Sequence, residues 1–362
     1  MNPRLCPAHR DFSIVLTVTA LVVFAILWLP LNAGAQGSGE KAEADKPVKQ
    51  SRVLAETNAP PDKKADPAKT ADPPKEDAKD SNDVAQTDTS QEKKEEPATK
   101  FLRIKRSVGK KPQALQTSIV RYTSTKSAKH QATVDLIGAV HVGEQEYYAE
   151  LNKKFQEYDV VLYELVAPEG FQVPENGKLE SGSGIGMLQN MLKDVLGLEF
   201  QLEHVNYAAK NFVHADMSPQ EFSKSMKDRG ESFLKMFIKM MGQSMAMQAK
   251  RPNSSSDIKL MFALIRRDHV TIKQVFAEQF EDMEATMAAF NGKDGSTIIT
   301  ERNKKALATL TKELESGKKK LAIFYGAGHL PDMEQRLIKD FGLKKQHVVW
   351  LTAWDLTRAP GR

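Results

Sequence analysis

The stretch Val134–Leu165 constrains this chain more than any other. It opens with the apolar run VDLIGAV, which leads to His141. From Glu144 to about Tyr158 the spacing becomes helical, with Tyr148, Leu151 and Phe155 on one stripe. A second apolar run, DVVLYEL, carries Glu164 near its end. Strand, helix and strand within about thirty residues make a βαβ unit. Its crossover sets the two strands parallel, so their C-terminal ends share one edge of the sheet. Open α/β sheets bind their ligands at that edge. His141 and Glu164 belong to it.

A distant segment repeats the pattern. Leu321–His329 reads LAIFYGAGH, another apolar run closed by Gly-x-x-His and followed by a helix-like stretch. Gly138 to His141 and Gly326 to His329 therefore present the same context twice. Glycines at strand ends allow close backbone approach, and Gly143 suits a tight strand-to-helix turn. The fold class expected is α/β, with a mixed, largely parallel central sheet, flanking helices and a long helical insertion.

The chain has 362 residues, with 27% charged and a formal net charge of +5. Both signs are mixed throughout, and no basic stripe interleaves with aromatics, so no nucleic-acid partner is expected. The single cysteine, Cys6, excludes an internal disulfide and a cysteine-based zinc site. Residues 1–35 read as a targeting segment. Arg4 and Arg10 precede the apolar stretch Phe12–Leu31, and Ala33-Gly34-Ala35 offers a small-residue cleavage site. Pro30 and that pattern favour a cleaved signal peptide, whereas the length of the stretch also suits a membrane anchor at residues 12–31. Export to a periplasm, cell surface or medium follows either way. Gln36–Lys100 is dense in Lys, Glu, Asp, Ala, Pro, Ser and Thr and nearly free of large apolar side chains. Such a stretch cannot offset its ordering entropy and is expected to be a disordered linker. The folded domain is expected over residues 101–362.

Phe101–Val108 and Ala114–Thr125 alternate apolar with polar residues, predicting two antiparallel strands joined at Gly109-Lys110-Lys111-Pro112. Ala167–Gly184 reads as a loop. Met187–Leu196 and about Glu199–Ala209 have helical spacing, and Asn211–Asp216 a short strand pattern. Ser218-Pro219-Gln220-Glu221 is a capping box with proline at the first helical position. Further helices are expected at Glu231–Lys250, Asp257–Arg267, His269–Asn291, Ser296–Ser316 and Leu330–Phe341. Lys320–Tyr325 and His347–Ala353 read as strands.

His141, His329 and Glu164 are the leading candidates, because two histidines and a carboxylate can bind a divalent metal with positions left open. A buried Glu164 needs a partner, and an arginine would serve. Asp216 precedes a helix start, where the dipole favours an anion, so it suits a cap as well as a site. Arg302 shares a stripe with Ile299, Ala306 and Leu310. An inward arginine either anchors Glu164 or Asp216 or polarises a substrate carbonyl. Glu301 lies one step off that stripe, as an outer group. Tyr325 is expected to pack with its hydroxyl in water. Met236, Met240, Met241, Met245 and Met247 suit a pliable core or lid, or thioether binding of Cu(I). His130, His204, His269 and His347 are read as structural. His214 shares a strand face with Asp216.

At Gly138-Ala139-Val140-His141, Tyr163-Glu164-Leu165, Glu301-Arg302-Asn303 and Gly326-Ala327-Gly328-His329-Leu330 the chain resembles the TraB/GumN/TIKI superfamily. The resemblance runs from about Phe101 to the C-terminus. It implies a fold related to erythromycin-esterase-like and ChaN-like proteins and a metal-dependent peptidase or hydrolase, acting on a peptide or protein. It also implies active-site roles for His141, His329 and Glu164. Many members carry threonine where this chain has Ala139. Under this reading His141 and His329 hold a Mn, Co, Zn or Fe ion, with Glu164 as third ligand or as general base. Arg302 and Asp216 complete the catalytic group. The alternatives are a non-catalytic haem- or metal-binding surface protein of ChaN-like kind and a catalytically inactive structural relative.

Overall fold

A computed structural model describes residues 99–124, 132–173, 193–232, 234–236, 238, 242, 256–290 and 295–359. The targeting segment, nearly all of the linker, Met240, Met241, Met245 and Met247, and His130 lie outside the described residues. The same holds for residues 174–192, which take in the end of the expected loop and the start of the helical pattern after it.

The strands are β1 (Leu102–Arg106), β2 (Pro112–Ser124), β3 (Thr133–Ala139), β4 (Val142–Gly143), β5 (Val160–Tyr163), β6 (Glu199–Phe200), β7 (Phe212–His214), β8 (Lys320–Gly326) and β9 (Leu343–Asp355). The helices that matter for the site are α1 (Gln145–Phe155), α2 (Gln201–His204), α3 (Pro219–Asp228), α4 (Ser256–Arg266), α5 (His269–Phe290), α6 (Arg302–Glu315) and α7 (Leu330–Lys339).

The main sheet is mixed. β3, β8, β5 and β7 lie side by side and all parallel. β2 is antiparallel to its partners: β9 lines one edge of it, while β1 and then β3 line the other. β3 and β5 are thus parallel, as the βαβ reading requires, but β8 is inserted between them from far along the chain. This insertion brings the two Gly-x-x-His segments onto neighbouring strands, with Ala139 opposite Gly326. Glu164 follows β5, the next strand over.

The local patterns explain the elements. β5 is apolar and buried at every position, as a strand covered on both faces must be. α1 buries Tyr147, Tyr148, Leu151 and Phe155 in the same hydrophobic core. Phe155 meets Phe324 of β8 with ring centroids 4.8 Å apart. Burying side chains of this size contributes about 1.5–3 kcal/mol each. Ser218 caps α3 by accepting from Glu221 N, while the Glu221 carboxylate accepts from Ser218 N. β9 runs longer than its alternating pattern suggested, because β2 offers it a continuous edge.

Two expectations need correction. The helical spacing of Glu199–Ala209 yields only the single turn α2, because Glu199 and Phe200 pair instead with Val142 and Gly143. The segment Ser296–Ser316 opens with a π-helical turn, Thr297–Glu301, before α6 begins at Arg302. Among the described residues no helix is long and apolar enough to cross a membrane.

Candidate functional site

His141 lies just past β3, in the two-residue link to β4, and its backbone is fixed from four sides. Tyr147 OH donates to Gly138 O at 3.0 Å, and Tyr148 OH to Val140 O at 3.0 Å. Gln201 N donates to His141 O at 2.9 Å, and Trp354 Nε1 to Val142 O at 2.7 Å. A tight turn would otherwise leave these carbonyls unpaired and buried, which is costly. Gly143 fits closely here. A Cβ would stand 3.0 Å from the Tyr147 ring and 3.2 Å from Tyr148 OH.

Glu164, Asp216 and Arg302 form one buried ionic group. Arg302 enters from the first turn of α6 and is 4% exposed. Its Nε and Nη2 donate to the two Asp216 oxygens at 2.9 and 2.5 Å. Nη2 also donates to Glu164 Oε1 at 2.7 Å. Burial opposes the charge on Arg302, but Asp216 and Glu164 overcome it and hold the guanidinium above its ordinary value. Burial alone would raise the Glu164 carboxyl; the Arg302 guanidinium, with His329 and His141, holds it well below the usual carboxylate range. The two carboxylates outnumber the guanidinium, so the charge left over is negative.

His329 sits in the 3₁₀ turn between β8 and α7. Asn303 Nδ2 donates to His329 O at 3.0 Å and to Asp332 Oδ2 at 2.8 Å, which fixes the amide orientation. Its Oδ1, 2.7 Å from His329 Nδ1, therefore accepts the Nδ1 proton. Nε2 is turned into the site, 3.4 Å from Glu164 Oε1 and 3.4 Å from Arg302 Nη1.

Gly326 marks where these groups meet. Its N–H donates to Glu164 Oε2 at 2.7 Å. A Cβ on Gly326 would stand 3.2 Å from Glu164 Oε2, 3.7 Å from His141 Nε2 and 3.9 Å from His329 Cδ2. His141, Glu164 and His329, gathered from three parallel strands, thus surround a single point. His141 alone of the group keeps partial solvent exposure. Even so, its dense surroundings lower its pKa, burial being the main cause, with Glu164 opposing and Arg302 and His329 adding.

The structure separates the candidates that the sequence left open. Arg302 anchors both carboxylates; its Nε and Nη2 face Asp216 and Glu164 rather than an open cleft. Asp216 belongs to this ionic group and also caps the Met217 N–H at 2.7 Å. His214 does not join it, since its Nε2 donates to Leu165 O at 2.5 Å. Glu301 pairs with Lys304 and Arg229 at 2.9 and 3.5 Å, outside the site. The Tyr325 hydroxyl is not in water: it is buried and donates to Ala215 O at 2.6 Å. His269 donates to Val195 O, in the structural role expected.

Some residues at and around the site gain their roles only through tertiary contacts. Asn303 is marked in the sequence only by the Glu301-Arg302-Asn303 motif; its contact with His329 follows from its buried position on α6. Gln201 touches the His141 backbone only because β4 pairs with β6. Outside the ionic group, Lys273 of α5 is 2% exposed and donates to Glu144 Oε1 at 2.8 Å, and Glu144 N–H in turn donates to Ala353 O at 2.9 Å, at the start of α1.

The donor set suits a divalent metal in kind: two imidazoles, an ionised carboxylate and surplus negative charge. Among the described residues, however, the group whose donors all lie within 4.8 Å of one another is Glu199, Glu203 and His204, which are partly exposed. Lys193 already reaches Glu199 and Glu203, at 2.5 and 3.9 Å. Comparison with family models, with curated proteins and with solved structures gives no match. The site must be read from its own chemistry.

Proposed function

We propose that the chain is an exported, metal-dependent hydrolase that cleaves peptide bonds at the C-terminal edge of the parallel strands. The observation that carries this reading is the convergence on Gly326, where His141 Nε2, Glu164 Oε2 and the His329 ring all lie within 4 Å of one point. His141 and His329 would hold a Mn, Co, Zn or Fe ion, with Glu164 as third ligand or as general base; the ion when bound supplies Lewis-acid polarisation and a more acidic bound water. As general base, the ionised Glu164 is the proton acceptor. Arg302 acts on Glu164 rather than on substrate: it fixes the carboxylate and keeps it charged. Asn303 fixes the His329 tautomer so that Nε2 faces the site. Substrate enters from the side of His141, the most exposed member.

The test combines metal analysis of the purified full chain with a peptide-cleavage screen, with and without chelator. His141→Ala and His329→Ala should each abolish metal retention and hydrolysis together while the fold survives. Glu164→Gln should retain metal if Glu164 is the base, with activity falling about 10²–10⁴-fold. A wild-type chain that binds no metal and cleaves nothing overturns the proposal.

One observation favours a second reading, the inactive structural relative. Glu164 Oε1 is already bonded to Arg302, and the ionic group is internally held without any metal. Under that reading the three variants lose stability, and no metal is found in the wild type.

A further inference from the structure

Helix α4 is apolar on two opposite faces, which a single core cannot satisfy. Leu260 and Ala263 are buried and join the main core, where α4 lies against α5. At about 3.6 residues per turn, Ile258, Met261, Phe262 and Ile265 fall on the face turned away from that core. All four are between 46% and 72% exposed. Single apolar side chains on a surface are ordinary, but a full stripe marks a face that packs on something apolar. Leu234 and Ile238, helical and one turn apart, are exposed to a similar degree.

The charge around this stripe is as uneven as its hydropathy. Residues 232–267 contain seven basic side chains and one acidic, a net +6, whereas the whole chain carries +5. Lys259 and Arg266 lie along one flank of the stripe, with Arg267 just past the helix end, and all three are exposed. Arg266 Cζ stands 5.7 Å from the centre of the Phe262 ring, so cation and apolar face are presented side by side. Asp268, next to Arg267, is already engaged. Its carboxylate accepts from Thr271 N at 3.0 Å and from Thr271 Oγ1 at 2.6 Å.

We infer that this face of α4 docks on an anionic phospholipid bilayer, with the stripe at the acyl boundary and the basic side chains among the headgroups. A helix that lies in a membrane surface combines an apolar face with lysine and arginine beside it. α4 has 11 residues, far short of the ~20 that cross a bilayer. The charge decides between a bilayer and a second copy of the chain. A twofold dimer sets the same patch against itself and would bring two segments of +6 together. Anionic headgroups neutralise that charge instead. The chain's own apolar stretch at residues 12–31 fits no better as occupant, because its basic flank, Arg4 and Arg10, has the same sign. Kept as an anchor, that stretch would hold the domain beside the bilayer and raise the effective concentration of the surface. No step here depends on the metal or on hydrolysis.

The test places a reporter on the stripe of the full-length chain. Cys6→Ser removes the only cysteine, and Ile265→Cys then carries an environment-sensitive fluorophore. Ile338→Cys, at an exposed position of α7, carries the same label as a control. Each chain is reconstituted into vesicles of phosphatidylcholine alone, or of phosphatidylcholine and phosphatidylglycerol in equal parts, with bromine on the acyl chains. In the mixed vesicles the Ile265 label should shift to shorter wavelength and be quenched severalfold more than in the neutral ones. The Ile338 label should report water in both. Raising salt from ~0.1 to ~1 M shortens the Debye length from ~10 to ~3 Å and should remove most of the difference. Lys259→Glu combined with Arg266→Glu, both exposed and outside the candidate site, should abolish the preference for anionic lipid without changing the melting temperature. An Ile265 label that stays in water in both vesicles overturns the inference, as does equal quenching in both. Burial of the label that grows with protein concentration in lipid-free detergent assigns the face to a second copy and also overturns it.

Discussion

Arg302 is bonded to two carboxylates at once, and that sets what it can do. Its Nε and Nη2 donors are taken by Asp216 and Glu164, and its Nη1 lies 3.4 Å from His329. A guanidinium so engaged cannot turn to a substrate carbonyl without abandoning a buried anion. Removing it strands two carboxylates whose side chains are 5% and 0% exposed. Breaking a buried ion pair from one side costs about 3–5 kcal/mol, well above the cost of losing the side chain's packing alone. Arg302→Met should therefore lower unfolding stability by about that amount in urea titration. Arg302→Lys should recover only part of it, since an ammonium cannot reproduce the two-pronged contact with Asp216. A loss under about 1 kcal/mol for the methionine variant would mean the two carboxylates find other partners.

At the level of elements, the βαβ unit was legible because its apolar runs and its helical stripe have different periods. The residues that end its strands were legible for the same reason. What could not be read was that β8 separates β3 from β5, since nothing local records which distant strand fills the gap. The failure at Glu199–Ala209 has the same origin: its spacing is helical, but a neighbouring strand takes Glu199 and Phe200 first. Gln201 stayed invisible and Asn303 entered only as part of the Glu301-Arg302-Asn303 motif, because an amide gains its role only through the tertiary contact that places it. The link from β3 to α1 depends on such contacts. Trp354 on β9 is 1% exposed and donates to Val142 O, directly after His141. Trp354→Phe keeps most of the ring and removes that donor. It should cost about 1–3 kcal/mol for the stranded carbonyl and speed amide exchange in residues 140–144 more than in the sheet. Uniform acceleration across the sheet would show that Trp354 acts through bulk packing alone.

For the molecule as a whole, acid is the condition that tests how its charges are held. Burial lowers the pKa of His141, so the unfolded chain takes up that proton first, near its ordinary value of ~6.5. The stability due to a neutral His141 is therefore complete above about 6.5 and declines as the pH falls below it. The carboxylates act lower. Glu164 is held well below its ordinary value by Arg302, His329 and His141 against the opposing effect of burial. Asp159 is lowered by the Lys320 and Lys319 N–H groups, and Glu221 by Lys305. Each has a depressed folded pKa, so its contribution is present above the unfolded value, ~4, and is lost as the pH drops through the folded one. The melting temperature of the metal-free chain should fall gently below pH ~6.5 and steeply below ~4. Salt should flatten the share owed to exposed Asp159 and Glu221, while leaving that of buried Glu164 nearly unchanged. Glu164→Gln, already neutral, should lose part of the steep limb. A wild-type melting temperature that stays level down to pH ~3 would contradict the buried ionic group on which the site is built.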